Sequence, residues 1–110
     1  MSQCVIAQLP ILERLSKAKP AERKRILKSA SPELIQSIVE CIENVLEGNV
    51  KIRKSNLRNL KKFKNILRKI IAAGRKLSHK KKVIIQSGGS FLPALLVPVI
   101  SILVQSLLNS

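Results

Sequence analysis

Residues 31–48, SPELIQSIVECIENVLEG, carry the helix signal from which the fold class follows. Ser31 is placed to cap a helix, Pro32 suits its first turn, and Glu33 favours the positive end of the helix dipole. Gly48 is expected to end the helix, because glycine reaches the left-handed backbone conformation found at helix ends. Between these two ends, apolar residues form one wide face of the helix, which predicts packing on other helices. Dimerisation or docking of a partner on this face stays open. The face is formed by the apolar residues Leu34, Ile35, Ile38, Val39, Ile42, Val45 and Leu46.

Two shorter helices are predicted before this one. Leucines at helical spacing predict the first over residues 4–17, and Pro20 suits the opening of the second over residues 21–29. The three helices together make a small helical head. The start of the chain lacks the basic stretch and continuous apolar core of a secretory signal, so we expect the protein in the cytosol or nucleus.

Charge divides the 110 residues into three segments. The net charge is +15, from 21 lysines and arginines against 6 acids, and the last acid is Glu47. Residues 1–50 are the nearly neutral head, residues 51–82 a polycationic amphipathic helix and basic linker, and residues 83–110 a Gly-Gly hinge and an uncharged apolar tail. A charge of this size indicates a polyanionic partner, either nucleic acid or an anionic membrane.

The middle segment predicts a basic amphipathic helix over residues 55–73, with Ser55 as its cap and Gly74 as its end. Lys64 lies toward the apolar side, where its stem could snorkel. That side is made of Leu57, Leu60, Phe63, Ile66, Leu67, Ile70 and Ile71. The sequence therefore predicts an all-α protein with about three short helices in the head, this basic helix, and a separate hydrophobic C-terminal tail helix.

The cations of the middle segment are the candidate nucleic-acid contacts. Lysine and arginine bind phosphate without reading base identity, and with only two phenylalanines in the chain no stacking platform is expected. Binding should be independent of sequence and steeply dependent on salt. The candidates are Lys51, Arg53, Lys54, Arg58, Lys61, Lys62, Arg68, Lys69, Arg75, Lys76, Lys80, Lys81 and Lys82.

The tail follows Gly88-Gly89, which we interpret as a flexible break. Its uncharged run is just long enough to cross a bilayer, but Pro98 should kink the helix or delay its start. Three interpretations stay open: a tail anchor, a segment that inserts obliquely into a membrane, and a peptide buried against another protein. The candidate membrane or capsid contacts are Phe91, Leu92, Leu95, Leu96, Val99, Ile100, Leu103 and Leu107.

The basic run Lys80-Lys81-Lys82, the pair Gly88-Gly89 and the segment Leu92–Pro98 stand in an order that resembles the adenovirus precursor of the small core peptide mu, or protein X. Similar proteins occur in Polinton or Maverick transposable elements and in adintoviruses. The resemblance covers about the last third of the chain. It implies a DNA-condensing segment. It also implies a processing site at Gly88, Gly89 and Ser90, where a viral-type cysteine protease would cut between Gly89 and Ser90. Gln86 departs from the apolar residue that this protease favours.

Two functions follow as hypotheses. The first is a virion core or minor capsid protein that condenses double-stranded DNA without sequence specificity, with capsid protein, protease, membrane and self-association as further contacts. Its location would be the virion and the host nucleus or cytoplasm. The alternative is a tail-anchored or membrane-active protein whose basic helix lies on anionic lipid. We expect no enzyme, cofactor or metal, because His79, Cys4 and Cys41 have no partner at catalytic or ligand spacing.

Overall fold

The computed structural model describes residues 3–74 and 76–109, and within these ranges the chain forms eight helices and no strand. The predicted all-α class is confirmed, while the number of helices exceeds the prediction. The helices are α1 (Gln3–Ala7), α2 (Leu9–Lys17), α3 (Pro20–Lys28), α4 (Pro32–Leu46), α5 (Lys54–Lys61), α6 (Lys64–Ala72), α7 (Leu77–Gln86) and α8 (Leu92–Leu108).

Helix α4 has the local structure that its sequence predicts. The Ser31 hydroxyl accepts a hydrogen bond from the backbone N–H of Leu34 at 3.2 Å. The helix ends at Leu46, and Gly48 follows with a φ of +75°. Its apolar face is buried from Leu34 to Ile42, so the wide face serves the core of the same chain, and only its last leucine, Leu46, is exposed.

Other helix boundaries differ from the prediction. The first predicted helix is divided into α1 and α2, and the basic helix is divided into α5 and α6. At the second break the N–H of Phe63 bonds the carbonyl of Leu60 at 2.9 Å, a tightened turn that leaves Phe63 half-buried against the core. Ser55 does not cap α5, because the helix begins one residue earlier and Arg53 occupies the cap position without a side-chain bond.

Helix α8 lies in the centre of the molecule. It packs most extensively on α2 and also contacts α4 and α5. The prediction of a separate tail was wrong, because the apolar face of α8 is covered by the head of its own chain. The buried residues of this segment are Phe91, Leu92, Leu95, Leu96, Val99 and Leu103, with exposed fractions between 0% and 8%.

One core joins all three segments of the sequence. Leu12 and Leu15 of the head, Leu67 of the basic segment and Leu95 of the tail belong to the same buried cluster. The radius of gyration is 12.9 Å, which agrees with about 13 Å for a compact chain of this length. Of the basic helices, α5 packs against α8, whereas α6 and α7 pack on α4 and on each other.

Pro98 lies inside α8 without delaying its start. The helix begins at Leu92, runs through Pro98 and ends at Leu108. Seventeen residues span about 25 Å at 1.5 Å per residue, less than the hydrocarbon core of roughly 30 Å. Across the described residues, no helix is both long enough and apolar enough to span a bilayer.

The turn between α7 and α8 is ordered by its two glycines. Gly88 has a φ of +74° and Gly89 a φ of +70°, and the Gly89 N–H donates to the Ser87 hydroxyl at 3.2 Å. A Cβ on Gly89 would lie 2.9 Å from Leu27 Cδ1 and 3.1 Å from Leu92 Cδ1, whereas a Cβ on Gly88 meets nothing within 4 Å. The expected flexible break is therefore a defined left-handed turn packed against α3.

Gly89→Ala should destabilise the fold more than Gly88→Ala. Both variants place a Cβ in the left-handed region, at a cost of about 1–2 kcal/mol, but only the Gly89 variant also forces apart two core leucines, at about 1–3 kcal/mol more. Urea unfolding followed by circular dichroism measures the difference. Equal midpoints for the two variants would contradict the close packing of this turn.

Candidate nucleic-acid interface

The cations of the basic segment lie mainly on the surface of α5, α6 and α7 and on the segments that connect these helices. Among the thirteen predicted contacts, Lys81 is half-buried, Lys80 is buried, and Arg75 lies outside the described residues. Lys64, which the sequence placed near the apolar side, is exposed as well. The ten exposed predicted contacts are Lys51, Arg53, Lys54, Arg58, Lys61, Lys62, Arg68, Lys69, Lys76 and Lys82.

The charge of this surface is not balanced inside the described chain. Both ion pairs between described residues lie in the head, where Arg14 Nη2 is 3.2 Å from Glu22 Oε1 and Lys17 Nζ is 3.2 Å from Glu13 Oε1. The basic segment contains no acid, so its exposed cations have no carboxylate neighbour in sequence. An external polyanion would therefore find these ammonium and guanidinium groups uncompensated.

Three of the predicted contacts line a groove between α5 and α8. Its two halves share Asn56, Val97 and Pro98, and they have volumes of about 400 Å³ and 320 Å³. Lys51, Arg53 and Lys62 stand on its α5 side. The remaining polar side chains that line it are Asn56, Asn59, Ser90, Ser101 and Gln105.

The chemistry of this groove suits phosphate. Ammonium, guanidinium, amide and hydroxyl donors are the groups that contact the DNA backbone, and the lining contains no acid. Sequence reasoning missed Asn56, Asn59, Ser101 and Gln105. The signal was present for the last two, because they are four residues apart in an otherwise apolar segment and therefore share one face of a helix.

Two lysines of the predicted basic run hold helices together. Lys80 is only 9% exposed, and its Nζ donates to the carbonyls of Ile70 at 3.1 Å and Ile71 at 2.7 Å, at the end of α6. Lys81 Nζ donates to the carbonyl of Ala30 at 2.9 Å, just past the end of α3. The last carbonyls of a helix lack partners within the helix and form the negative end of its dipole, so these cations are well placed. Lys80 cannot contact DNA while it fills this position.

Lys80→Met should lower the free energy of unfolding by about 1–3 kcal/mol, because the carbonyls of Ile70 and Ile71 lose a charged donor. Lys82→Met is the matched control: it removes the same charge from an exposed position of the same helix and should stay within about 0.5 kcal/mol. Chemical denaturation with both variants provides the measurement. If the two variants unfold alike, Lys80 contributes no more than a solvated lysine.

Many residues of the other predicted sites are buried. Six of the eight predicted membrane or capsid contacts are buried in the core, which leaves Ile100 half-buried and Leu107 exposed. In the predicted processing site, Gly89 is buried while Ser90 is exposed. A protease that must hold Gly88-Gly89 in an extended cleft would first have to unfold this turn.

Histidine, cysteine and acidic side chains are the other groups that could form a chemical site. Across the part of the chain that is described, no group of three histidine, cysteine or acidic side chains is arranged to hold a metal ion. Burial, together with the neighbouring charge of Glu40, raises the pKa of the Cys41 thiol to about 12, so this thiol stays protonated. Cys4 Sγ lies 3.3 Å from the Ser37 hydroxyl, and both cysteines are free thiols.

Comparisons with known proteins give no further assignment. No protein-family model, curated protein or solved structure matches this chain.

Proposed function

We propose that this chain is a non-enzymatic protein that binds double-stranded DNA through its phosphates and without sequence specificity. The observation that carries the proposal is the groove between α5 and α8, which combines Lys51, Arg53 and Lys62 with three side-chain amides of α5 and α8 and is lined by no acid. Eight further exposed cations of the basic segment add positive charge outside the groove: Lys54, Arg58, Lys61, Lys64, Arg68, Lys69, Lys76 and Lys82.

The distribution of aromatic residues favours duplex DNA over single strands. Phe91 is fully buried and Phe63 is half-buried against the core, and the chain has no tryptophan or tyrosine. Unpaired bases stack on exposed aromatic rings, which this surface does not provide. The duplex backbone needs only cations and hydrogen-bond donors, and both are present.

The net charge suits coating and condensation of DNA. Duplex DNA carries about one negative charge per 1.7 Å of axis, so fifteen positive charges match about 25 Å of duplex. The longest dimension of the protein is 36 Å. A chain that lies along the duplex over this length faces about 21 phosphate charges, and its net charge would offset about 70% of them.

A role in a virion core or as a minor capsid protein extends this proposal. It rests on the resemblance of residues 80–98 to the precursor of the adenovirus core peptide mu. In this role the folded protein would coat packaged DNA, and capsid protein, a viral-type cysteine protease and further copies of the chain would be its partners. Cleavage after Gly89 would require local unfolding, which links processing to the state of the fold.

Removal of the groove cations should reduce both DNA affinity and its salt dependence. The triple variant Lys51→Gln, Arg53→Gln and Lys62→Gln is expected to lower the slope of log K against log salt by about 3, since each phosphate contact contributes about one unit. Fluorescence anisotropy with a labelled duplex of random sequence, measured at several salt concentrations with the full chain, gives this slope.

The matched control is Lys19→Gln, Lys24→Gln and Lys28→Gln, which removes the same charge from exposed positions of α3 and the segment before it. It should change the slope much less, because these lysines lie outside the groove. Equal losses in the two triple variants would mean that net charge alone drives binding and that the groove has no special part.

Anionic membrane is a second candidate because the far end of α8 is apolar and exposed. Val104, Leu107 and Leu108 are 41%, 47% and 80% exposed, and Lys51 and Arg53 line a depression with Gln105 of the same helix. Such a combination favours attachment to the lipid interface.

Sedimentation with phosphatidylserine vesicles tests the membrane function. If it is correct, the wild-type chain pellets with the vesicles, and Leu107→Ser with Leu108→Ser abolishes most of the pelleting because the apolar contact is lost. Pelleting that survives the double variant but disappears at high salt would reduce the lipid contact to simple charge attraction.

A further inference from the structure

A second concave surface lies between the end of α4 and the outer side of α5 and α6. It has a volume of about 300 Å³. Apolar side chains form the floor of this surface, and cationic side chains lie between them. The floor residues are Val45, Leu46, Leu57, Leu60 and Leu67, and the cations are Lys61, Lys64 and Arg68. We call this surface the α4–α6 cleft.

The α5 and α6 residues of the cleft form one continuous stripe. Positions 57, 60, 61, 64, 67 and 68 repeat at intervals of three and four, so the tightened turn at Phe63 does not interrupt the line. From Leu57 to Arg68 the stripe is about 16 Å long at 1.5 Å per residue. A partner helix of three turns has the same length.

Two leucines of the cleft are left open to solvent by the folded chain. Leu46 is 40% exposed and Leu57 is 42% exposed, although both line the same depression. Clustered apolar side chains beside polar rims are typical of interaction sites, whereas a single exposed leucine is not informative. The cleft is thus an apolar surface that a binding partner could cover.

The charges around the cleft select the kind of partner. Lys61, Lys64 and Arg68 line it, and no acid does. Duplex DNA would satisfy these cations but would leave the leucines uncovered. A second copy would bring its own net charge of +15, which opposes its docking on these cations. A ligand with apolar and acidic groups at helical spacing satisfies both parts of the cleft.

We propose that the α4–α6 cleft docks an acidic amphipathic helix of another protein. Apolar side chains at positions i, i+3 or i+4, and i+7 of that helix would lie on Leu46, Leu57 and the half-buried Val45, as in other helix-in-groove complexes. Flanking glutamates or aspartates would pair with Lys61, Lys64 and Arg68 and would fix the orientation.

This docking site is separate from the groove proposed for DNA. The groove uses Asn56, Asn59 and Lys62 of α5, whereas the cleft uses Leu57, Leu60 and Lys61 of the same helix. The two sets point to different sides of α5, so one chain could hold DNA and an acidic helix together. The inference therefore goes beyond DNA binding and does not depend on it.

Fluorescence anisotropy with the full chain tests the proposal. The probe is a labelled synthetic peptide of leucine and glutamate, about four turns long, with leucines at intervals of three and four. A scrambled peptide of the same composition is its control. The amphipathic peptide should bind at least about tenfold more tightly than the scrambled one, a factor that corresponds to about 1.4 kcal/mol.

Three single variants locate the site. Leu57→Ser should weaken binding of the amphipathic peptide about tenfold, and Lys64→Gln should weaken it severalfold through loss of one charge pair. Ile11→Ser is the matched control, because Ile11 is 38% exposed on α2 and is not among the residues that line the cleft. It should leave peptide binding unchanged. Thermal unfolding of each variant confirms that the fold persists.

Several results would overturn the proposal. Equal affinity for the scrambled peptide would show attraction by charge alone, and an unchanged affinity of Leu57→Ser would place the peptide elsewhere. A dimer in analytical ultracentrifugation that Leu57→Ser dissociates would identify a second copy as the occupant. DNA affinity of Leu57→Ser should match the wild type, so failure of the docking site and failure of the DNA groove are distinguished.

Discussion

Burial of the apolar face of α8 is the interaction on which the other features depend. Phe91, Leu92, Leu95 and Leu96 are inaccessible to solvent, and they contact elements from every part of the chain. At about 1.5–3 kcal/mol for each buried large apolar side chain, this face contributes on the order of 10 kcal/mol before opposing terms. That amount is comparable with the net stability of a whole domain. The basic helix α5 packs on this face, while α6 and α7 pack on α4 and on each other.

The same packing joins parts that look independent in the sequence. One wall of the proposed DNA groove is α5 and the other is α8, so the apolar segment shapes the basic surface. The Gly88-Gly89 turn controls where α8 enters the core. A cut after Gly89 would therefore free a core helix and open the groove, with consequences for stability and DNA binding at once.

Local signals predicted much of the fold, because they depend on neighbouring residues only. The Ser31 cap and the helix ends at Gly48 and Gly74 lie where the sequence places them. The position of the tail was not predictable in this way. An apolar face is equally hydrophobic whether it is covered by lipid, by a capsid protein or by its own head, and only the tertiary structure selects among these.

The sequence predicted which types of residue form the candidate site, but not how those residues are arranged in space. Lys80 belongs to a lysine run that looks fully solvated, yet it shares a helix face with Leu77 and Ile84, at intervals of three and four, and this spacing is the signal for its burial. The pairing of Lys51 and Arg53 with Ser101 and Gln105 joins residues about fifty positions apart. No pattern of local spacing reports such a contact.

The place of α8 in the chain has a consequence for biosynthesis. This helix follows all its packing partners in sequence, so none of them can bury its apolar face until α8 has left the ribosome. During that interval the basic segment is free to contact ribosomal RNA, which is itself a polyanion. Folding would then withdraw Lys80 and Lys81 into the molecule and leave the exposed cations of the basic segment outside, so the emergence of α8 from the ribosome sets when the basic surface takes its folded form.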